Sequence, residues 1–194
     1  MTEVAIMQPY FLPYLGYFQL ASSVDIFVVY DDVQFTKKGW VTRNRLNSPQ
    51  GPWTVSLPTK SAPVATLIRD KEISSEFNSE KLIRRIENSY AKSPHKNEAA
   101  GLLEKIFAIE TTNLFEFLLN SLKCSFDFLG MDDSKIVVSS SIGDFRNFRG
   151  QNKVLAICHS LGATSYVNPI GGRTLYNPID FESQATNLRF FTPV

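Results

Sequence analysis

The stretch that decides the fold is residues 4–30: Val4-Ala5-Ile6-Met7-Gln8-Pro9-Tyr10-Phe11-Leu12-Pro13-Tyr14-Leu15-Gly16-Tyr17-Phe18 and, a few residues on, Ile26-Phe27-Val28-Val29-Tyr30. Val4 to Met7 is apolar, is stopped by Pro9 and is too short for a helix, so it reads as a buried strand. Pro13 suits the first position of a helix, and Tyr14, Tyr17, Phe18 and Ala21 recur at helical spacing through Ser22. Ile26 to Tyr30 is β-branched, aromatic and again short, which reads as a second buried strand. Strand, helix and strand within about thirty residues form a βαβ unit, and strands joined by such a crossover run parallel.

The same reading extends outward. Lys135 to Ser139 and Ser165 to Asn168 are a third and a fourth buried strand, and Leu188 to Phe191 a last one. Asn152 to Leu161 is a short helix that Gly162 stops. Residues 77–131 are helical: Leu82, Ile83, Ile86 and Tyr90 share one spacing, and Leu102, Leu103, Ile106 and Phe107 another. Leu114 to Met131 is apolar on most of its circumference, which predicts deep burial, with Asn113 capping its start and Gly130 ending it. Residues 31–60 differ in character. There the turn Pro49-Gln50-Gly51-Pro52 joins Trp40–Leu46 to Trp53–Leu57 in a hairpin. The expected fold is α/β, a three-layer, mostly parallel sheet of Rossmann-like type carrying a β-hairpin insert (31–60) and a helical segment (77–131). With no repeat, low-complexity tract or linker, residues 1–194 read as a single domain.

Composition narrows the partners. The 194 residues carry 20 Lys and Arg against 19 Asp and Glu, a net charge of +1, where a dedicated nucleic-acid binder carries a basic excess. Hydrophobic residues make 43% of the chain, enough for a packed core. The 15 Phe and 7 Tyr exceed what a plain core needs, which points to some of them lining a pocket. No secretory signal opens the chain and no apolar run reaches the length of a membrane span, so the expected location is the cytoplasm. Two cysteines build no disulfide framework, and two histidines no histidine-rich metal site. Cys158 shares an apolar helical face with Val154, Leu155 and Leu161, His159 points about 100° away, and Cys124 lies in the apolar helix, so both thiols read as core.

Four groups of residues could carry chemistry. Gln8, Tyr10, Tyr14 and Tyr17 follow the first strand, where ligands of open α/β sheets bind. The helix that begins there offers free N–H groups, and Gly16 in its first turn permits a close approach. The alternative is that these aromatics cap the core. Asp31 and Asp32 end the second strand. A carboxylate there could accept sugar hydroxyls, hold magnesium, act as a base, or serve only as a turn or cap. Alternation along a strand sends the two to opposite faces unless the strand has already ended. Lys37, Lys38, Trp40, Arg43, Asn44 and Arg45 combine cations for phosphate or carboxylate with a ring for stacking. On a strand, Arg43 and Arg45 share one face and Asn44 takes the other, and the plain alternative is a solvated hairpin. Asn168, Gly171, Gly172, Arg173 and Tyr176 follow the fourth strand, and Gly171-Gly172 could form an anion-binding loop without the spacing of a Walker loop. Tyr14 and the two aspartates are the candidate catalytic groups; Gln8, Tyr10, Tyr17, Lys38, Trp40, Arg43, Asn44, Arg45, Asn168, Gly171, Gly172, Arg173 and Tyr176 are candidate substrate- or phosphate-binding groups. No set of side chains has metal-ligand spacing.

Tyr14-Leu15-Gly16-Tyr17 has the register of the H-x-G-H signature of nucleotidyl transferases and class I synthetases, with tyrosine at both histidine positions and no K-M-S-K-S-like stretch elsewhere. A longer match is more specific. Met7 to Phe18, Asp25 to Phe35, Lys38-Gly39-Trp40 with Arg43-Asn44-Arg45, and later Ile157-Cys158, Leu161-Gly162-Ala163 and Tyr166 resemble the WbqC-like protein family over nearly the whole chain. That resemblance implies a place in bacterial O-antigen or other surface-polysaccharide synthesis. It also implies transfer of glycine or another acyl unit to an amino sugar, carried on a nucleotide. ATP with magnesium would enter if the acyl donor is activated in place. The partners so implied are a sugar nucleotide and other enzymes of the pathway. A non-catalytic module that binds a sugar nucleotide or a partner enzyme is the alternative, and a nucleotidyl transferase a weaker one. Family members run on beyond the position of Val194, so a further C-terminal segment is an expectation.

Overall fold

A computed structural model describes all 194 residues. In chain order its strands are β1 (Glu3–Met7), β2 (Ile26–Val29), β3 (Arg43–Leu46), β4 (Trp53–Ser56), β5 (Ile136–Val138), β6 (Ser165–Pro169) and β7 (Asn187–Phe191). Its helices are α1 (Leu15–Ser22), α2 (Ser79–Ser89), α3 (Lys96–Phe107), α4 (Leu114–Phe128), α5 (Ser139–Ile142), α6 (Gly150–Ser160) and α7 (Pro178–Glu182). The chain divides into two compact units, residues 1–8, 14–32 and 132–194 in the first and residues 9–13 and 33–131 in the second.

The first unit is built on a five-stranded sheet in the order β5-β2-β1-β6-β7, with every neighbouring pair parallel. Counted along the chain within this sheet, the order is third, second, first, fourth, fifth, which is the Rossmann order. The α/β class with a mostly parallel sheet, flanking helices and a separate antiparallel hairpin is the one the sequence predicts. Alternation along the strands generates the layers. Val4, Ile6 and Val28 pack with Val154, Ile157 and Cys158 of α6. Phe27, one residue out of phase with Val28, meets the Tyr17 ring of α1 edge-on at 5.3 Å between centroids. With both faces covered, β1 and β2 are apolar at nearly every position. The strand expected to be buried at 135–139 is a half-buried edge, because β5 pairs with β2 alone. Lys135 beside it folds back on the end of α1, and its Nζ donates to the carbonyls of Ala21 (3.2 Å) and Val24 (2.7 Å). A cation there complements the negative end of the helix dipole.

The second unit holds the hairpin and α2 to α4. β3 pairs antiparallel with β4 from Arg43↔Ser56 to Leu46↔Trp53. The strand starts at Arg43 and not at Trp40, since two turns, Gly39 N–H to Thr36 O and Thr42 N–H to Gly39 O, occupy the residues before it. Asn113 caps α4 as expected, its side chain accepting from Glu116 N at 3.0 Å. The helix is more one-sided than an apolar stretch over most of its circumference predicts. Leu114, Phe117, Leu118, Leu122 and Phe126 are buried, while Glu116, Lys123 and Asp127 keep a solvated stripe. Phe77, Phe107, Phe117 and Phe11 form a ladder of rings with successive centroids 5.8, 5.4 and 6.2 Å apart. Residues 9–13 are tied into this unit by Phe11 N–H, which donates to Trp40 O at 2.9 Å. Asn44 adds donations from its amide to the carbonyls of Phe11 (3.2 Å) and Leu12. Leu12 has φ 48°, a left-handed conformation that costs a non-glycine residue about 1–3 kcal/mol, and the Asn44 amide holds it there. No helix is long and apolar enough to cross a membrane.

Candidate functional site

In a Rossmann-ordered sheet the ligand crevice opens where the order reverses, outside the carboxyl ends of the strands. Here that point lies between β1 and β6. Within the first unit, this edge carries Gln8 after β1, Tyr30-Asp31-Asp32 after β2, Ser139-Ser140 after β5, and Asn168 near the end of β6.

The aspartates converge. β2 ends at Val29, so strand alternation no longer separates them, and both reach Ser139. Its Oγ lies 2.7 Å from Asp31 Oδ1 and 2.6 Å from Asp32 Oδ1, and it accepts the Asp31 N–H at 3.2 Å. A hydroxyl has one proton, so Ser139 donates to one carboxylate at a time. Asp31 also accepts from Ser140 N–H at 2.9 Å and Ser140 Oγ–H at 2.7 Å. Asp32 is paired with Lys153 of α6, whose Nζ stands 2.8 Å from Asp32 Oδ2 and 2.7 Å from Asp32 O. The two side chains of this ion pair are 4% and 7% exposed. Both carboxylates are thus buried and occupied by protein donors. The same ammonium lies 5.2 Å from the centre of the Tyr30 ring, and burial, followed by the Asp32 charge, pushes the Tyr30 phenol well above its ordinary range.

A second network closes the β6 side. Tyr166 Oη donates to Asn168 Oδ1 at 3.0 Å, and the Asn168 amide donates to Pro169 O at 3.0 Å. With the Tyr166 proton so used, Tyr176 donates its own to Tyr166 Oη, 3.0 Å away. Burial raises both phenols, Tyr166 more strongly, so both are neutral hydrogen-bonding groups at neutral pH. Gly171 and Gly172 follow β6. They lie in a 3-10 turn, Ile170–Leu175, and a Cβ on Gly172 would stand 2.1 Å from Asn168 Nδ2. The glycine makes room for the asparagine.

The remaining predicted residues divide between the units. In the first unit, Tyr14 is exposed at the N-cap of α1, whereas Tyr17 is 1% exposed in the core and donates its hydroxyl to Gln8 O at 3.0 Å. The Tyr14…Tyr17 register therefore turns one ring outward and the other inward. What approaches Gly16 is not a ligand but the rings of Tyr14 and Pro193. Arg173 is exposed, its guanidinium 5.9 Å from the Phe190 ring. In the second unit, Tyr10 is half-buried, Lys38 is exposed in a left-handed turn (φ 62°), and Trp40 and Arg45 are exposed. Arg43 buries its Nε without a partner, and Asn44 is committed to the backbone of Phe11 and Leu12.

Sequence reasoning passed over Lys153, Ser139, Ser140 and Tyr30. Lys153 had a signal: it sits four residues before Ile157 on the helical face that also turns Val154 and Cys158 inward, and a buried lysine requires an anion. Cys158 is inert by the same burial, which pushes its thiol up to about 12.

The comparisons with known proteins cover both units. The chain is 29% identical over 194 residues to a protein of Mycobacterium tuberculosis (strain ATCC 25618 / H37Rv) named "Uncharacterized protein Rv1507c", spanning 98% of this chain and 82% of that one. No solved structure matches. The sequence profile of the WbqC-like protein family matches residues 8–194, from the Gln8 that leaves β1 to the last residue, and this protein belongs to that family.

Proposed function

We propose that this protein is a cytoplasmic transferase of bacterial surface-polysaccharide (O-antigen) synthesis that acylates, with glycine as one candidate unit, an amino sugar carried on a nucleotide. The observation that carries the reading is the Rossmann-ordered sheet with neutral polar groups at its switch point; membership of the family supports the pathway. Asn168 and Tyr176 would orient sugar hydroxyls beside Gln8, and the exposed Arg173 would meet the diphosphate. In the reaction the sugar nitrogen attacks the acyl carbonyl carbon and a C–N bond forms. The bond from that carbon to the leaving group breaks, the leaving group keeps the electron pair, and it takes up the proton that the nitrogen gives up. Asp31 and Asp32 act as positioning residues, since both carboxylates already hold protein donors.

A second reading, a non-catalytic module that binds the sugar nucleotide for a partner enzyme, is favoured by that same saturation, because it leaves no carboxylate free to take the amine proton. Thermal stabilisation by UDP- and dTDP-linked amino sugars, with ATP–magnesium, coenzyme A and glycine as further arms, tests both. A ligand at a hundred times its dissociation constant adds about 2.7 kcal/mol, and Asn168→Ala or Arg173→Ala should remove that shift. Incubation with an acyl donor, followed by mass analysis of the sugar nucleotide, then separates transferase from module. Silence of every sugar nucleotide, or a shift that both variants keep, overturns the assignment of this edge.

A further inference from the structure

The second unit carries a groove of about 580 Å³ between the hairpin tip, residues 48–53, and one face of α2. The helix contributes Lys81, Arg84, Arg85 and Asn88. Their spacing, i, i+3, i+4 and i+7, places them on one stripe. No acidic side chain lines the groove. Arg84 is paired with Glu80 at 2.9 Å. Arg85 has no anionic partner and instead lies over Trp53, its guanidinium carbon 3.8 Å from the centre of the indole. Across the hairpin, Trp53 is paired with Leu46, so the backbone that carries the ring is held by the sheet.

This arrangement differs from a set of loose surface cations. A stacked guanidinium has already lost much of its side-chain freedom, and the stack occupies its flat face while leaving the N–H fork at its edge. The fork matches two oxygens of a phosphate. Lys81 adds a second unpaired cation and Asn88 a neutral amide, so the unpaired charge suits an anion of charge −2.

We infer that this groove is a binding site for a phosphoryl group of a small molecule, with Arg85 as the two-pronged contact and Lys81 as the second charge. It is independent of the activity proposed for the first unit and stands or falls without it.

The test uses the full chain with Trp40→Phe, which leaves Trp53 as the single tryptophan. Its fluorescence is titrated with inorganic pyrophosphate at constant ionic strength, and with glucuronate as a carboxylate-bearing sugar. A saturable change with pyrophosphate is expected, weakened at least tenfold by Arg85→Ala and severalfold by Lys81→Ala. Arg85→Lys should fall between wild type and Arg85→Ala, since it keeps the charge and loses the fork. Arg149→Ala, a change to an exposed cation of the other unit, should leave it unaltered. A response that never saturates, one that Arg85→Ala leaves intact, or one that glucuronate matches overturns the inference.

Discussion

Lys153 sits in α6 beside Val154 and Leu155, with Ile157 one turn on, and its ammonium is taken up by Asp32 at 2.8 Å. Removing one member of a buried pair leaves the other charge desolvated, which costs about 3–5 kcal/mol. Lys153→Met should therefore destabilise the protein by that amount in urea unfolding at neutral pH. Adding Asp32→Asn should restore part of the loss, because the orphaned charge is then gone. A single-variant loss under about 1 kcal/mol would mean that water, and not Lys153, compensates Asp32 in the folded state. The residue types of this site were legible in the sequence, and their partners were not. Asp31 and Asp32 stood out as adjacent carboxylates after a strand. That they meet over Ser139, more than a hundred positions later, depends on β5 pairing with β2, which no local pattern encodes. Tyr17 shows the opposite case: it reads as a candidate binding group because it follows the first strand, and the structure buries its ring in the core at 1% exposure.

At the scale of elements, β6 and the 3-10 turn after it are joined by a steric fit. Asn168 is buried, and both ends of its amide are bonded, to Tyr166 Oη and Pro169 O. The space it needs is the missing side chain of Gly172. Gly172→Ala should displace the asparagine and leave the Tyr166 hydroxyl short of an acceptor, a loss of about 1–3 kcal/mol. In an Asn168→Ala background the same change should cost little, and a double-mutant cycle of urea midpoints measures the coupling. Equal costs in the two backgrounds would show that the turn moves aside and that the fit is not tight. Three of the parallel strands, β1, β2 and β5, could be read from sequence as short apolar runs, and the hairpin because Pro49 to Pro52 punctuates it. The turn at 170–175 and α7 could not. Both are short, and α7 is held by contacts distant in sequence: Gln151 of α6 bonds Asp180 and Asn177 N, and Phe181 stacks on Tyr166 of β6 at 5.6 Å.

For the whole molecule, the two units differ in how their buried titratable groups respond to base. The first holds Tyr30, Cys158, Tyr166 and Tyr176, all raised by burial. A raised acid favours the folded state fully below its unfolded value. From there the advantage declines until the folded value is reached, because the unfolded chain has released a proton that the native state keeps. For Cys158 the window runs from 9.0 to about 12, and each such group removes about 1.4 kcal/mol per pH unit inside its window. The second unit holds Lys71, lowered by burial and then by the Lys37 charge. A lowered base has the reverse sign, so that unit gains as pH rises from the folded value of Lys71 towards its ordinary 10.5. Both tryptophans, Trp40 and Trp53, report on the second unit, and with Cys124→Ser the remaining thiol, Cys158, reports on the first. Between about pH 9 and 10.5 the urea midpoint read from a pulse of thiol labelling at Cys158 should fall steadily, within the window set by its linkage. The midpoint read from tryptophan fluorescence should not fall over the same range, and should rise where Lys71 titrates. If the two midpoints fall together, the chain unfolds as one cooperative body and the units share their stability. If neither moves, the buried phenols and the thiol do not stay protonated in the folded state, and the burial argued for the first unit is wrong.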